Sequence, residues 1–260
     1  MADADIYLKK TDNIAWLVLN RPDRKNALDK SMWERISSLV EQARDDKEIK
    51  ALIIRSENPG FFSAGADISE FELFMSDTEA RDQNRKAIRA ACRALEDCPF
   101  PTVAMIQGAC VGGGCMLALC CDIRLGDEKS KYGITPAKLG LVYGLGDTRR
   151  LVDLVGPAQA KQILYTADIF PAERALRIGL INDVFPDDRL EEEARKLAAG
   201  MIANSAYSLH HIKQNIKQVL NGRREDDETS EALFNEAFDG PDHREGVEAF
   251  LNKRKPDFRS

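Results

Sequence analysis

Histidine is scarce in this chain of 260 residues: there are three, His210, His211 and His243, all toward the C-terminal end. They fall in a predicted helical tail, so neither a histidine base nor a metal site is expected. None of the six cysteines, at 92, 98, 110, 115, 120 and 121, forms a Cys-x-x-Cys pair. Five of them lie in or beside apolar segments, which favours reduced, buried thiols in a cytoplasmic protein over disulfides or zinc. No apolar run approaches the length of a membrane span. The opening MADADIYLKK has neither an apolar signal region nor an Arg-rich transit pattern. There is no basic block and the formal net charge is −6, so nucleic acid is a poor candidate partner. Internal repeats and low-complexity linkers are lacking as well.

What is present is an ordinary globular balance, 43% hydrophobic and 31% charged, over a length that buries one sizeable core. Branched and aromatic runs at 14–20, 51–55, 102–107 and 123–126 read as strands. Between them, apolar residues at helical spacing predict amphipathic helices over 31–46, behind Asp29 as N-cap, and over 77–97. A further helix runs on from the 130–151 stretch and ends near Gly156. The alternation stops near Phe185. Beyond it the chain reads as helices over 187–203, 205–221, 225–238 and 242–252. An α/β core over 1–186 and a helical region over 187–260 follow.

Two turns carry the chemistry. In 107–122, QGACVGGGCMLALCCD, a strand runs through three glycines into a small apolar helix. N–H groups at such a turn are unpaired and can hold an anion or a developing oxyanion, and glycine lets a ligand approach the backbone. Upstream, Phe61-Phe-Ser-Ala-Gly-Ala-Asp-Ile68 is a second strand-to-turn element with small residues at its tip.

Together the two turns resemble the crotonase (enoyl-CoA hydratase/isomerase) superfamily. Further matches are Arg21-Pro22 with Asn26-Ala27-Leu28, Lys138-Leu-Gly-Leu141, Ala175-Leu-Arg-Ile-Gly-Leu180, Arg244-Glu-Gly246 and Phe250-Leu-Asn-Lys-Arg-Lys255, in order along nearly the whole chain. The resemblance implies a ClpP-like spiral of ββα units with a C-terminal helical domain. It also implies a homotrimer, or a hexamer of two trimers, acting on an acyl-CoA. Coenzyme A would enter as part of the substrate, with no tightly bound cofactor. The Ala66 and Gly113 N–H groups would receive the thioester oxygen. CoA contacts would fall at Arg24, Lys25, Ala27, Ala64, Ala66, Asp67 and Ile68, with Phe250 and Lys253 reaching a site in the same or a neighbouring subunit. Arg24 and Lys25 also read as a solvated turn, and 242–252 as an ordinary amphipathic helix. Phe71, Leu73, Phe74 and Met75 are either acyl-pocket or core residues. Asp67 reads as ordering its own turn, and Asp122 as satisfying backbone amides.

Hydratases of this family use two glutamates around one water, one in G-G-G-x-E and one in P-E-x-x-L-G. Here the first position is Met116 and the second Pro136, and neither transfers a proton. One segment, Thr135-Pro-x-x-Leu-Gly-x-x-Tyr143, resembles methylmalonyl-CoA decarboxylase, although that enzyme has histidine at the position of Ala66. Decarboxylation needs an oxyanion hole, an apolar surround and a donor for the substrate carboxylate, which a neutral Tyr143 hydroxyl would supply. Asp147 is the second candidate, open to proton transfer or to a helix-capping role; Glu70 and Glu72 also remain open. Three functions follow: a malonyl-type-CoA decarboxylase, a hydratase or isomerase using Asp147 or a loop carboxylate, and a CoA-binding scaffold without chemistry.

Overall fold

A computed structural model describes residues 4–258; the ends of the 1–186 and 187–260 division lie outside them. The larger sheet has the order β1-β2-β3-β5-β7-β10, formed by Ile6–Thr11, Ile14–Leu19, Ala51–Ser56, Thr102–Ile106, Ile123–Asp127 and Asp183–Phe185. From β2 to β10 the pairing is parallel. Both faces are covered, which is why these strands read as continuous apolar runs rather than alternating ones. Leu17, Leu19, Leu52, Ile54, Ala104 and Ile106 enter the main core on one face. Trp16, Val18, Ile53, Val103 and Met105 turn to the other.

The edge strand β1 was not foreseen. It forms a hairpin with β2 through Asp12 and Asn13, both left-handed at φ 51° and 64°, a two-residue turn that Asp and Asn tolerate.

A second, small sheet has the order β4-β6-β8-β9: Phe61–Ser63, Ala109–Val111, Lys131–Gly133 and Phe170–Pro171. Strands β3, β5 and β7 of the large sheet are each followed by one strand of the small sheet and then by helix, giving the ββα spiral. The corner between β5 and β6 needs Gly108, where a side-chain carbon would come within 2.0 Å of the Gly60 carbonyl oxygen.

Helices α1 (Lys30–Asp45) and α3 (Thr78–Glu96) pack together against the main core, burying Trp33, Ile36, Ala91 and Leu95. Asp29 caps α1 by accepting the Met32 N–H at 2.9 Å, and Asp77 caps α3 in the same way. A short α2 (Phe71–Ser76) precedes α3, and α4 (Gly113–Leu119) follows the glycine turn. Helix α5 (Leu145–Thr166) corrects the expected end near Gly156. That glycine breaks the geometry at φ 73°, and the helix then continues from Pro157, whose fixed φ suits a fresh first turn. After α6 (Ala172–Arg177), α7 (Leu190–Ile202) lays Leu190, Ala194 and Ala198 on the second face of the large sheet.

The tail is α8 (Ala206–Leu220), α9 (Glu228–Asp239) and α10 (Pro241–Leu251), close to the expected helices. Its apolar side chains are unusually uncovered: Ile212, Ile216, Val219, Phe234, Phe238, Phe250 and Leu251 are all exposed. The three histidines lie on α8 and α10.

Candidate functional site

The segment 63–68 and the glycine turn 111–114 meet at their tips. A side-chain carbon on Gly65 would stand 2.9 Å from the Val111 carbonyl oxygen and 3.3 Å from the Gly113 nitrogen; one on Gly113 would stand 3.3 Å from the Ala66 nitrogen. Only glycine at 65, with φ 105°, allows this approach.

The hydrogen bonds around the two turns leave two N–H groups over. Leu28 bridges Ala66 by donating to the Gly65 carbonyl at 2.7 Å and accepting from the Asp67 N–H at 3.0 Å. Ala66's own N–H is thereby turned away from the bridge. Gly112 N–H donates to the Gly133 carbonyl and Met116 N–H to the Gly112 carbonyl, while Gly113 opens α4. Among the described residues, neither the Ala66 nor the Gly113 N–H has a hydrogen-bond partner. Two free donors on touching turns can receive one oxygen atom that gains negative charge.

The first turn is braced by side chains that the sequence marks as motif residues without showing what they hold. Arg21 Nη1 reaches Asp67 Oδ2 at 2.7 Å and the Ala27 carbonyl at 2.9 Å. Asn26 is fully buried; its Nδ2 donates to Ser56 Oγ and the Phe62 carbonyl, and its Oδ1 accepts from the Arg21 N–H. Ser63 Oγ donates to the Asn26 carbonyl and accepts from Gly65 N–H. Asp67 does order its own turn, taking the Ser69 N–H and hydroxyl. Burial would raise its pKa, but Ser69 and the Arg21 guanidinium together hold it below the ordinary value.

The CoA-contact candidates divide. Arg24, Lys25, Ala64, Ala66 and Ile68 are exposed, Ala27 is half-buried and the Asp67 side chain is enclosed. Phe250 is 83% exposed on α10, and Lys253 stands just past its end. No hydrogen bond or ion pair among the described residues joins Phe250 or Lys253 to the two turns. The choice between pocket and core for 71–75 also resolves in part: none of Phe71, Leu73, Phe74 and Met75 is buried, and Leu73 and Met75 are 51% and 78% exposed.

Met116 is buried on α4, and Pro136 opens a 3-10 turn over Pro136–Leu139. Beyond that turn the Tyr143 ring packs against the main core. Its hydroxyl is buried and has no hydrogen-bond partner among the described residues. Burial, then the nearby charge of Asp147, pushes the phenol pKa well up, so it stays protonated. A buried hydroxyl without a partner costs free energy and is a place where a bound polar group would be welcome.

Asp147 lies in the first turn of α5, but the capping role is corrected. The N-cap is Gly144, no side chain caps it, and Asp147 Oδ1 instead accepts from Arg150 Nη1 at 2.8 Å. Burial raises the Asp147 pKa, Arg150 opposes, and Glu96 raises it further. Glu70 accepts the Lys30 N–H at 3.1 Å and is also pushed up, chiefly by burial. Asp122 serves one backbone amide, that of Thr102 at 2.8 Å, and pairs with Lys213.

A ββα spiral whose two tips offer paired, unspent N–H donors is a geometry able to receive an oxyanion. The sequence profile of the Enoyl-CoA hydratase/isomerase family matches residues 9–260. The chain belongs to that family, the crotonase superfamily. It is 37% identical, over the full length of both chains, to a crotonyl-CoA hydratase of Syntrophomonas wolfei. It is 32% identical to the 2,3-dehydroadipyl-CoA hydratase of Escherichia coli, over 98% of this chain and 99% of that one. A solved enoyl-CoA hydratase/isomerase family protein from Hyphomonas neptunium superposes with a TM-score of 0.94 at 40% identity, over 98% and 97% of the two chains. The expected fold is therefore present, and an enzyme acting on acyl-CoA is supported. Among the described residues no helix is long and apolar enough to cross a membrane.

Proposed function

We propose that this protein decarboxylates a malonyl-type acyl-CoA through a thioester enolate held by the Ala66 and Gly113 N–H groups. The observation that carries the reading is a pair of free donors with no carboxylate at positions 116 or 136. The bond from the α-carbon to the carboxylate breaks, CO2 leaves, and the electron pair passes into the enolate. The oxygen of that enolate takes the two N–H bonds. The Tyr143 hydroxyl orients the departing carboxylate, and Met116 lines an apolar surround that favours loss of charge. One proton must then reach the α-carbon. Asp147, whose charge acts on Tyr143 and whose own pKa is raised by burial, is suited to deliver it.

A second reading, hydration or isomerisation of an enoyl-CoA, is supported by the names of the relatives and by the same raised Asp147. It also needs the oxyanion pair and a proton at the α-carbon, with Asp147 or Glu70 in place of the family glutamates. The substrate brings the CoA, and no resident cofactor is part of either reading. The uncovered tail helices suit a trimer or a dimer of trimers, in which Phe250 and Lys253 would approach a site of the same or a neighbouring subunit. Six free, buried thiols suit the reducing cytoplasm.

The test is a panel in which CO2 release from methylmalonyl-CoA and loss of enoyl absorbance from crotonyl-CoA are followed together. CO2 release with slow hydration supports the first reading. Hydration at the rate of an ordinary family hydratase replaces it with the second. Tight CoA binding without turnover of either leaves the scaffold.

A further inference from the structure

Behind Asp147 a line of charges crosses from α3 to α5. Arg150 donates to Glu96 twice, Nε to Oε1 at 2.7 Å and Nη2 to Oε2 at 2.8 Å. Its third contact is Nη1 to Asp147 Oδ1 at 2.8 Å. The side chains are mostly enclosed, with exposures of 13% for Arg150, 20% for Asp147 and 24% for Glu96. Bidentate pairing to guanidinium is directional as well as strong. A buried ion pair of this sort adds little net stability over well-packed apolar side chains, so its geometric consequence matters more.

That consequence falls on the Asp147 carboxylate. Arg150 occupies Oδ1. Oδ2 stands over the Gly144 α-carbon, where a side-chain carbon would lie 2.7 Å from it. One oxygen is thus fixed by Arg150 and the other is turned toward the backbone that carries Tyr143. The guanidinium can hold Asp147 by one oxygen only because Glu96 occupies its other edge. Without the Glu96 carboxylate, Arg150 could swing its fork onto both Asp147 oxygens.

We infer that Glu96 is a positioning residue: by engaging Arg150 in two hydrogen bonds, it keeps the second oxygen of Asp147 free of the guanidinium, beside Gly144 and so next in the chain to Tyr143. The inference rests on the reading that Asp147 delivers the proton to the substrate α-carbon. The charged groups facing Asp147 are Arg150 on its own helix and Glu96 and Arg89 from α3, while Tyr143 feels the Asp147 charge from the preceding turn. Cys92 and Cys120 face Arg150 from the core side, and Arg149 reaches Glu96 at 3.6 Å. Glu96 therefore acts in two ways: it occupies the cation, and its own negative charge favours the protonated form of Asp147.

Glu96→Gln keeps the shape and one acceptor for Arg150 but loses the charge. Glu96→Asp keeps the charge. The Asp147 carboxyl is followed by carbon NMR in the substrate-free protein, assigned with Asp147→Asn, and kcat for methylmalonyl-CoA, or for crotonyl-CoA if that is the compound turned over, is followed against pH. In Glu96→Gln the Asp147 titration, and the limb of the kcat profile that matches it, should move to lower pH by about half a unit or more. At pH 7 kcat should fall by about threefold or more with KM little changed. Glu96→Asp should restore both. An unmoved titration and limb in Glu96→Gln, when Asp147→Asn abolishes that limb, overturns the positioning role alone. If Asp147→Asn leaves rate and profile as in the wild type, the reading beneath it fails, and the positioning role with it.

Discussion

Tyr143 and Asp67 show how differently one side chain can be held near a reactive centre. The Tyr143 hydroxyl is enclosed without a partner, whereas Asp67 has every approach filled. Leaving a buried hydroxyl unpaired costs about 1–3 kcal/mol. Tyr143→Phe should therefore melt at or above the wild-type temperature while decarboxylation falls on the order of a hundredfold. A loss of stability with undiminished turnover would make Tyr143 a packing residue. Asp67 carries the opposite signature. Its folded-state pKa lies below the ordinary 3.8, so its contribution is complete at neutral pH and is lost as pH falls through the folded value. Arg21→Met removes one cause of that depression. Its stability at pH 7 should drop by about 1–3 kcal/mol, and the fall in stability at acid pH should flatten, both measured by denaturant unfolding across pH.

At the scale of elements, the last turn of α10 is where charge and exposure coincide. Lys253, at φ 53°, follows the helix with its side chain in solvent, beside the exposed Phe250. A phosphate contact from such a residue would be screened over a Debye length of about 8–10 Å. Lys253→Ala should weaken CoA binding in calorimetry and reduce its salt dependence, with the melting temperature unchanged; unaltered affinity at low salt would leave it a solvated surface residue. The long elements were legible in the sequence because helical periodicity, the Asp29 cap and the apolar strand runs act locally. The small sheet was legible only where the strand-to-turn element of 61–68 opens it; strands such as 131–133 and 170–171 are too short to show a period. The β1 hairpin lay hidden in an Asp-Asn pair. Of the candidate site, the two turns were legible from glycine and alanine at their tips. The contacts behind the first turn and behind Asp147 were not: Arg21 meets Asp67 across 46 positions and Glu96 meets Arg150 across 54, and nothing in local sequence marks either meeting. Helix α5 misled because Gly156 followed by Pro157 can end a helix or restart one.

For the whole molecule, the spiral and the site make separate statements. The large sheet, covered on both faces, and the family match along residues 9–260 establish what kind of chain this is. They leave the reaction to a few side chains, and at the two positions where the family resemblance leads one to expect glutamate this chain has methionine and proline. What the molecule keeps is the pair of N–H donors, the first of them on a turn braced by Arg21 and Asn26 from one loop and by Ser63 from the strand that leads into it. The central claim is that this pair stabilises an enolate oxygen, and removing one donor tests it most directly. Gly113→Pro deletes the N–H at the first position of α4, where proline suits helix geometry. The measurement is kcat/KM of the wild type and of Gly113→Pro, on whichever of methylmalonyl-CoA and crotonyl-CoA the wild type turns over, with folding verified by circular dichroism. The account predicts a folded variant with kcat/KM reduced on the order of a hundredfold or more, equivalent to about 3 kcal/mol of transition-state stabilisation. A folded variant that keeps the wild-type value would contradict it.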